Sequence, residues 1–474
     1  MGERMRRGIV ILLAFFCLAA PAMSEGTGIA LTAEMRLTDA PDMGKDALAA
    51  VNGLLERLAF SVQAGEDAGR IAVLSDGTEI LSAAVLGGDG YTLTAFGPEG
   101  NAYLTAPGEK DALTLLTGAG DRTDLPPVLE WAGSYPALAE KLFGVLEKNC
   151  APRNEKQRTS IKNTAGSASF VTYAFKADAL TDEIWEEVLE EILPLLRDTL
   201  GDREDLYESA ESVLEELIFS GGCTFKRFLD KDGADMGMQF TGTASWRRDK
   251  RKVTLFCGYT PGKGGYFSLR LPAARGDNDL HIVLDYAEAA QGDTRTWTLS
   301  AAFDRTYEGE KTAAKLDAAL KSVGRDGGED WTGRIVCSRT ENKRRVEWTL
   351  TPSLASDGET LTGAVRFARQ EGKKDPVKGE IALQIRRGAA AGFPDEAPED
   401  ARDLRGMPEE EARAAVQAEW ANLARAAARL MKTLPEEDRA LITHALRTET
   451  WMYGPDASPL PEGDAWTVKE ETKE

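Results

Sequence analysis

Between residues 223 and 387, apolar and polar residues alternate with a period of two. Leu280, Ile282, Leu284 and Tyr286 fall on one side of an extended chain. So do Trp297, Leu299, Ala301 and Phe303, and Val346, Trp348 and Leu350. Leu361, Val365 and Phe367, then Ile381, Leu383 and Ile385, continue the series. Thr296, Thr298 and Ser300, or Arg345, Glu347 and Thr349, occupy the other side. Side chains on a strand point alternately to opposite faces, so the pattern predicts a sheet with one apolar and one wet face. Asp232-Gly233, Gly276-Asp277, Gly292-Asp293, Asp326-Gly327 and Asp357-Gly358 interrupt the alternation. Such pairs suit tight hairpins, whose turns need positive φ. Their wide spacing predicts long hairpins in an up-and-down meander. Residues 311–321 fit both periods: Ala314, Leu316, Ala318 and Leu320 alternate, while the alanines also suit a helix.

A shorter ribbon spans residues 69–96, with turns at Asp76-Gly77 and Gly87 to Gly90. Residues 29–37, 60–63 and 102–105 read as strands beside it, and 167–176 as a further strand. Helical spacing predicts a helix over 46–58 (Ala47, Val51, Leu54, Leu55) and one from Pro126-Pro127 to about residue 147, with Gly133 and Pro136 as candidate breaks. Thr181 is placed to cap a helix carrying Ile184, Trp185, Val188, Leu189 and Ile192, which Pro194 bends or ends. Helices follow over 203–219, 408–432 (Val416, Trp420, Leu423, Ala427, Leu430) and 434–446. The predicted organisation is a leader (1–24), a helix with a short-strand ribbon (25–125) and a mainly helical segment (126–220). The long meander (221–387), a linker (388–406), C-terminal helices (407–450) and a polar tail (451–474) complete it.

An apolar sheet face cannot stay wet, and the amphipathic helices are the available cover. The expected fold is therefore α+β: a long curved antiparallel meander, half-barrel-like, with helices over its concave face. The small residues Ala72, Ser82, Ala83 and Ala84 of the ribbon suggest close approach of a helix, with 46–58 the candidate. Trp297, Phe303, Trp348 and Phe367 would line a cavity if the helices leave space, and would otherwise be core.

Charge and composition narrow the function. The 474 residues carry a net charge of −21, which opposes binding to a phosphate backbone. The basic run Arg247, Arg248, Lys250, Arg251 and Lys252 reads as a solvated turn. The first 24 residues have the form of a signal peptide: Arg4, Arg6 and Arg7, an apolar run, then Ala22-Met23-Ser24. Cys17, preceded by Phe15-Phe16, is a poor lipid-attachment context, so export as a soluble protein, extracellular or at the cell surface (periplasmic in a cell with two membranes), is expected. Cys150, Cys223, Cys257 and Cys337 remain; they read as buried hydrophobes or as one disulfide of open pairing.

Motifs for chemistry are sparse. His281 and His444 are the only histidines, too few for a common zinc site, and no Gly-x-Ser-x-Gly elbow or phosphate loop is present. Asp230, Asp232 and Asp235 resemble part of a calcium loop, but Phe228 and Gln239 stand where its register needs ligands, so an acidic hairpin is expected. Arg275-Gly276-Asp277 reads as a chance turn. Asp285 and Asp304 sit at polar strand positions and keep a carboxylate hydrolase as an alternative. The expectation is a non-catalytic exported protein with no cofactor and no metal. It would bind or scaffold at the cell exterior, with an apolar small molecule, a lipid or another envelope protein as partner. A purely structural envelope module is the third reading.

The meander with its helices resembles the lipoprotein-localisation-factor (LolA-like) and LppX-like half-barrels, in which helices plug a bent sheet. The leader, the 46–58 helix and the stretch "LSDGTEILSAAV" also look like uncharacterised secreted proteins of Gram-positive anaerobes. The half-barrel resemblance implies a hydrophobic cargo cavity and no catalytic residues. The higher strand count and the missing lipid-attachment cysteine depart from that pattern.

Overall fold

A computed structural model describes residues 29–448 apart from short stretches, the longest being 118–127, 161–166 and 388–397. The leader, Thr181, Arg247, Arg248, residues 275–277 and the tail from 449 lie outside the described residues. The twenty-one strands among the described residues belong to one sheet. The N-terminal strands are β1 (Ile29–Asp39), β2 (Leu58–Ala64), β3 (Ala68–Ser75), β4 (Thr78–Gly88), β5 (Tyr91–Gly97) and β6 (Ala102–Thr105). Then come β7 (Arg153–Ser160), β8 (Ser167–Phe175), β9 (Ile218–Phe219), β10 (Cys223–Leu229), β11 (Asp235–Trp246), β12 (Asp249–Thr260) and β13 (Gly264–Leu271). The longest follow: β14 (Asn278–Gln291), β15 (Thr294–Tyr307), β16 (Glu310–Arg325), β17 (Gly328–Glu341) and β18 (Arg344–Ser356). β19 (Thr360–Glu371), β20 (Val377–Arg387) and β21 (Arg402–Asp403) end the series. The helices are α1 (Lys45–Leu55), α2 (Ala112–Thr117), α3 (Val128–Asn149), α4 (Asp182–Leu200) and α5 (Glu204–Glu215), then α6 (Glu409–Val416), α7 (Glu419–Lys432) and α8 (Glu436–Thr448).

β1 is the junction of the sheet. Leu31 faces Val62 of β2 on one side and Ile385 of β20 on the other, so β1 joins the ribbon β2–β6 to the meander. From β20 the strands descend in order to β10, followed by β8 and β7. β21 runs parallel to β6; every other pair is antiparallel. Among the described residues no pairing joins β7 to β6 or β21. At Asp76-Gly77 both residues take positive φ (50° and 77°), as a two-residue hairpin demands, whereas at Asp232-Gly233, Gly292-Asp293, Asp326-Gly327 and Asp357-Gly358 only the glycine does.

Register keeps the apolar residues on one face. Tyr173, Phe225, Phe240, Leu255, Leu269, Ile282 and Phe303 form a single row across seven strands. Helices meet this face only in places. Phe143 and Leu146 of α3 and Val188 of α4 bury Tyr173, Phe225 and Phe240. Leu115 and Leu116 of α2 and Val416 of α6 cover Ala83, Phe96 and Tyr103. Ala47, Leu48, Val51 and Leu55 of α1 pack on Leu37, Val377 and Phe367. The cluster of Leu31, Ala33, Leu354, Val365, Ile381 and Leu383 contains strand residues only.

The expected α+β half-barrel with helices covering its concave face is therefore corrected: the fold is mostly β, one extended sheet with helices at restricted sites. The physical reason is that an apolar helix stripe can be satisfied by another helix. Ala50 of α1, for example, packs with Met431 of α7 and Ile442 of α8. The stripes so used leave no helix over the central strands among the described residues. The ribbon's small residues do not receive the 46–58 helix; Ala83 meets α2 and α6 instead, while Asn52 fixes α1 to β1 through both backbone groups of Leu37.

Three local expectations also resolve. Residues 311–321 lie in β16, paired on both sides, so the alternation prevails over the alanines. Pro194 lies inside α4. The 408–432 helix breaks at Gln417 and Ala418 into α6 and α7, which leaves Trp420 37% exposed and turns Glu419 inward.

The four described cysteines are free thiols, and the fold singles out one pair. Cys150 Sγ lies 3.5 Å from the Ala174 carbonyl oxygen, and the next residue, Phe175, is the register partner of Cys223. Both thiols belong to one apolar cluster. Cys223 is level with Val253 on β12; Cys257, four residues further along, is roughly 13 Å from that level at the usual strand rise. Cys337 is on β17, beyond six intervening strands. Oxidation with glutathione disulfide is expected to join Cys150 to Cys223 and leave the others single, as read by non-reducing peptide mapping. Burial pushes the Cys223 thiol up to about 11, with Cys150 adding to the shift, so the reaction should be slow at neutral pH. A bridge that uses Cys257 or Cys337 would contradict this placement.

Candidate functional site

The central strands carry the four aromatic residues singled out by the alternation, and register puts all four on the apolar face. Trp297 and Phe303 share that face of β15 with Leu299 and Ala301. Trp348 is level with Cys337, Leu316 and Ala301. Phe367 is level with Leu350, Ile335, Ala318 and Leu299. Trp297, Phe303, Trp348 and Phe367 are all half-buried. Only Phe367 touches a helix cluster, that of α1.

Trp331 completes the set. Its ring stacks on Trp297 with centroids 5.2 Å apart and planes 9° from parallel. The two rings meet diagonally across β16, since Trp297 faces Leu320 and Trp331 faces Ser322. The signal for Trp331 was present in the alternation Trp331, Gly333, Ile335, Cys337, but Gly333 interrupts the apolar series. That glycine is required by packing: a Cβ there would lie 2.5 Å from the Ala319 carbonyl oxygen and 2.6 Å from Leu320 Cδ2.

The two ends of this apolar floor differ in charge. From the level of Trp348 outward, the same face carries Arg305, Arg339, Arg344 and Arg369, with Glu310, Glu341 and Glu371 among them. The Arg369 guanidinium lies 5.7 Å from the centre of the Trp348 ring. Burial works to raise the Glu371 carboxyl, but Arg344 and Arg369 outweigh it and hold the group below the usual range. Glu341 pairs with Arg339. At the Trp297 end the face carries Glu288, level with Trp297 itself, Glu329 and Arg295.

The polar face holds the carboxylates. Asp285 faces Ser300, which faces Asp317; these residues, with Arg334, line an open depression of about 350 Å³. Asp304 faces His281, four residues further along β15 than Ser300, or roughly 13 Å at the usual strand rise. The structure therefore separates Asp285 from Asp304 and places Asp317 level with Asp285, two strands away across Ser300. Burial would raise the Asp317 carboxyl, but hydrogen bonds from Lys315 and Ser300 hold it below the usual range. It stays ionised at neutral pH, the opposite of what a general acid needs.

The remaining motifs have local roles. Asp230 Oδ1 accepts hydrogen bonds from the backbone N–H groups of Asp232 and Ala234, each at 2.8 Å, which closes the acidic hairpin. Among the described residues no cluster of His, Cys, Asp and Glu has the form of a metal site, and no helix is long and apolar enough to cross a membrane.

No family model and no curated protein matches the chain. Solved structures that do match are outer-membrane proteins. OmpT of Vibrio cholerae, with loop L8 deleted, is 8% identical with a TM-score of 0.22, over 77% of this chain and 98% of that one. Wzi of Escherichia coli, described as a carbohydrate-binding β-barrel involved in capsule assembly, is 6% identical with a TM-score of 0.26, over 79% and 87%. The channel DcaP of Acinetobacter baumannii is 7% identical with a TM-score of 0.22, over 76% and 95%. The LolA-like resemblance is thus corrected: the proteins matched are barrels of the outer membrane. At these scores the likeness is one of long antiparallel strands, and no function is carried from them to this chain.

Proposed function

We propose that this is an exported, non-catalytic protein of the cell envelope or exterior that holds an apolar ligand on the uncovered face of β14–β18. The observation that supports it is a floor of apolar side chains in which Trp297, Trp331 and Trp348 are half-buried and Ile335 and Leu354 are buried, and over which no helix cluster extends among the described residues. A contiguous apolar patch of this kind on a soluble surface marks an interaction site. The leader-like first 24 residues supply the route out of the cell. The separated pair Asp285 and Asp304, and the ionised Asp317, give the hydrolase reading no supporting geometry.

Native mass spectrometry of the chain purified without detergent, before and after incubation with a total lipid extract, tests this reading. Adducts that vanish in Trp348→Ala are expected. A protein that is ligand-free as purified and takes up nothing from the extract would overturn it.

A further inference from the structure

The apolar floor has a polarity, and with it a ligand class. It runs along β15 from Phe303 to Trp297, roughly 20 Å at the usual strand rise. The Phe303 end is bordered by Arg305, Arg339, Arg344 and Arg369 against Glu310, Glu341 and Glu371, a surplus of one positive charge. This local surplus sits in a chain of net charge −21. The opposite end has no such surplus: Glu288 and Glu329 stand there against Arg295.

We propose, resting on the apolar-ligand reading above, that the ligand is a long-chain fatty acid. Its carboxylate lies at the arginine end and its tail runs over Leu316, Leu299 and the Trp297–Trp331 stack. Guanidinium groups suit this head group because their paired N–H donors match a carboxylate. Glu371 holds Arg344 and Arg369 on the apolar face while leaving the cluster net positive. Arg339 and Arg344 are 47% and 40% exposed, so both can reach a head group at the rim. The single net-positive end argues for one amphiphile lying along the strands.

Tryptophan fluorescence titrations of the full chain with oleate and with oleyl alcohol, below the concentration at which either aggregates, separate the two proposals. Oleate should bind at least tenfold more tightly than the alcohol. Arg339→Gln/Arg344→Gln should weaken oleate about tenfold and leave the alcohol unchanged, with the circular dichroism of the stacked tryptophans confirming an intact floor. Equal affinity for acid and alcohol overturns the polarity and keeps the apolar site; binding of neither overturns both. Binding only to vesicles of anionic phospholipid, or oleate competition with a concentration-dependent dimer seen by light scattering, overturns the fatty-acid assignment in favour of a membrane surface or a second copy of the chain.

Discussion

Replacement of Glu419, the one carboxylate on α7, by alanine should destabilise the protein by about 3–5 kcal/mol. Glu419 is 1% exposed. Its Oε1 accepts hydrogen bonds from the Tyr103 hydroxyl at 2.9 Å, from the Asn101 backbone N–H at 3.3 Å and from Asn101 Nδ2, and its Oε2 accepts from Asn422 Nδ2 at 2.8 Å. Tyr103 is itself fully buried. Removing the carboxylate strands these donors, each at a cost of about 1–3 kcal/mol before relaxation. Glu409→Ala on the neighbouring α6 removes exposed pairs with Arg413 and Lys110 and should cost less than about 1 kcal/mol. Urea titration followed by far-UV circular dichroism measures both. Near-equal losses for the two variants would show that Glu419 is not the pin between α7 and β5–β6.

The same pin predicts an alkaline transition. Burial first, and Glu419 second, push the Tyr103 phenol up to about 12 from its ordinary 10. The folded state therefore binds a proton that the unfolded state releases between these values. Its stability is complete below pH 10 and is lost as pH rises through 12. Tyr173, raised in the same sense by burial and by Glu147, acts in the same direction. A stability flat from pH 9 to 12 would contradict both placements.

What the sequence made legible follows from which interactions are local. Alternation and Asp-Gly turns are properties of adjacent residues, so β14 to β20 and the identity of their apolar face could be read directly; Trp297, Phe303, Trp348 and Phe367 share it as the period requires. Helix cover could not be read. The stripe on α1 shows that it needs a partner, but nothing in it distinguishes Ala83 of the ribbon from Leu37 and Val377, which it meets. Register is equally non-local: Asp285 and Asp304 share a polar face, yet the hairpin at Gly292 sets them four residues out of step. Glu419 was hidden for a different reason. A continuous helix over 408–432 puts Trp420 on the inner stripe, and the two-residue break at Gln417–Ala418 rotates it outward.

The second large effect is a contrast between two aromatic truncations. Phe143→Ala should cost about 3–5 kcal/mol, the range for deleting a fully buried ring. Phe143 is inaccessible, packs 5.4 Å from Tyr173 and lies under the Arg227 guanidinium in the cluster that joins α3 and α4 to β8, β10 and β11. No neighbour can fill its volume without leaving that cluster. Trp297→Ala removes a larger ring, yet the ring is only half-buried, and the substitution chiefly removes its stack on Trp331. Aromatic pairs contribute about 0.5–1.5 kcal/mol beyond area burial, so the total should stay near 2 kcal/mol. Ligand affinity should move the other way: Trp297→Ala abolishes oleate binding, and Phe143→Ala, in the fraction that remains folded, leaves it unchanged. This inversion follows only if the sheet is held by clusters at its helix-bearing sites while its centre is left open for a ligand. If Trp297→Ala were as destabilising as Phe143→Ala, the central face would be a closed core, and the site proposed there would not exist.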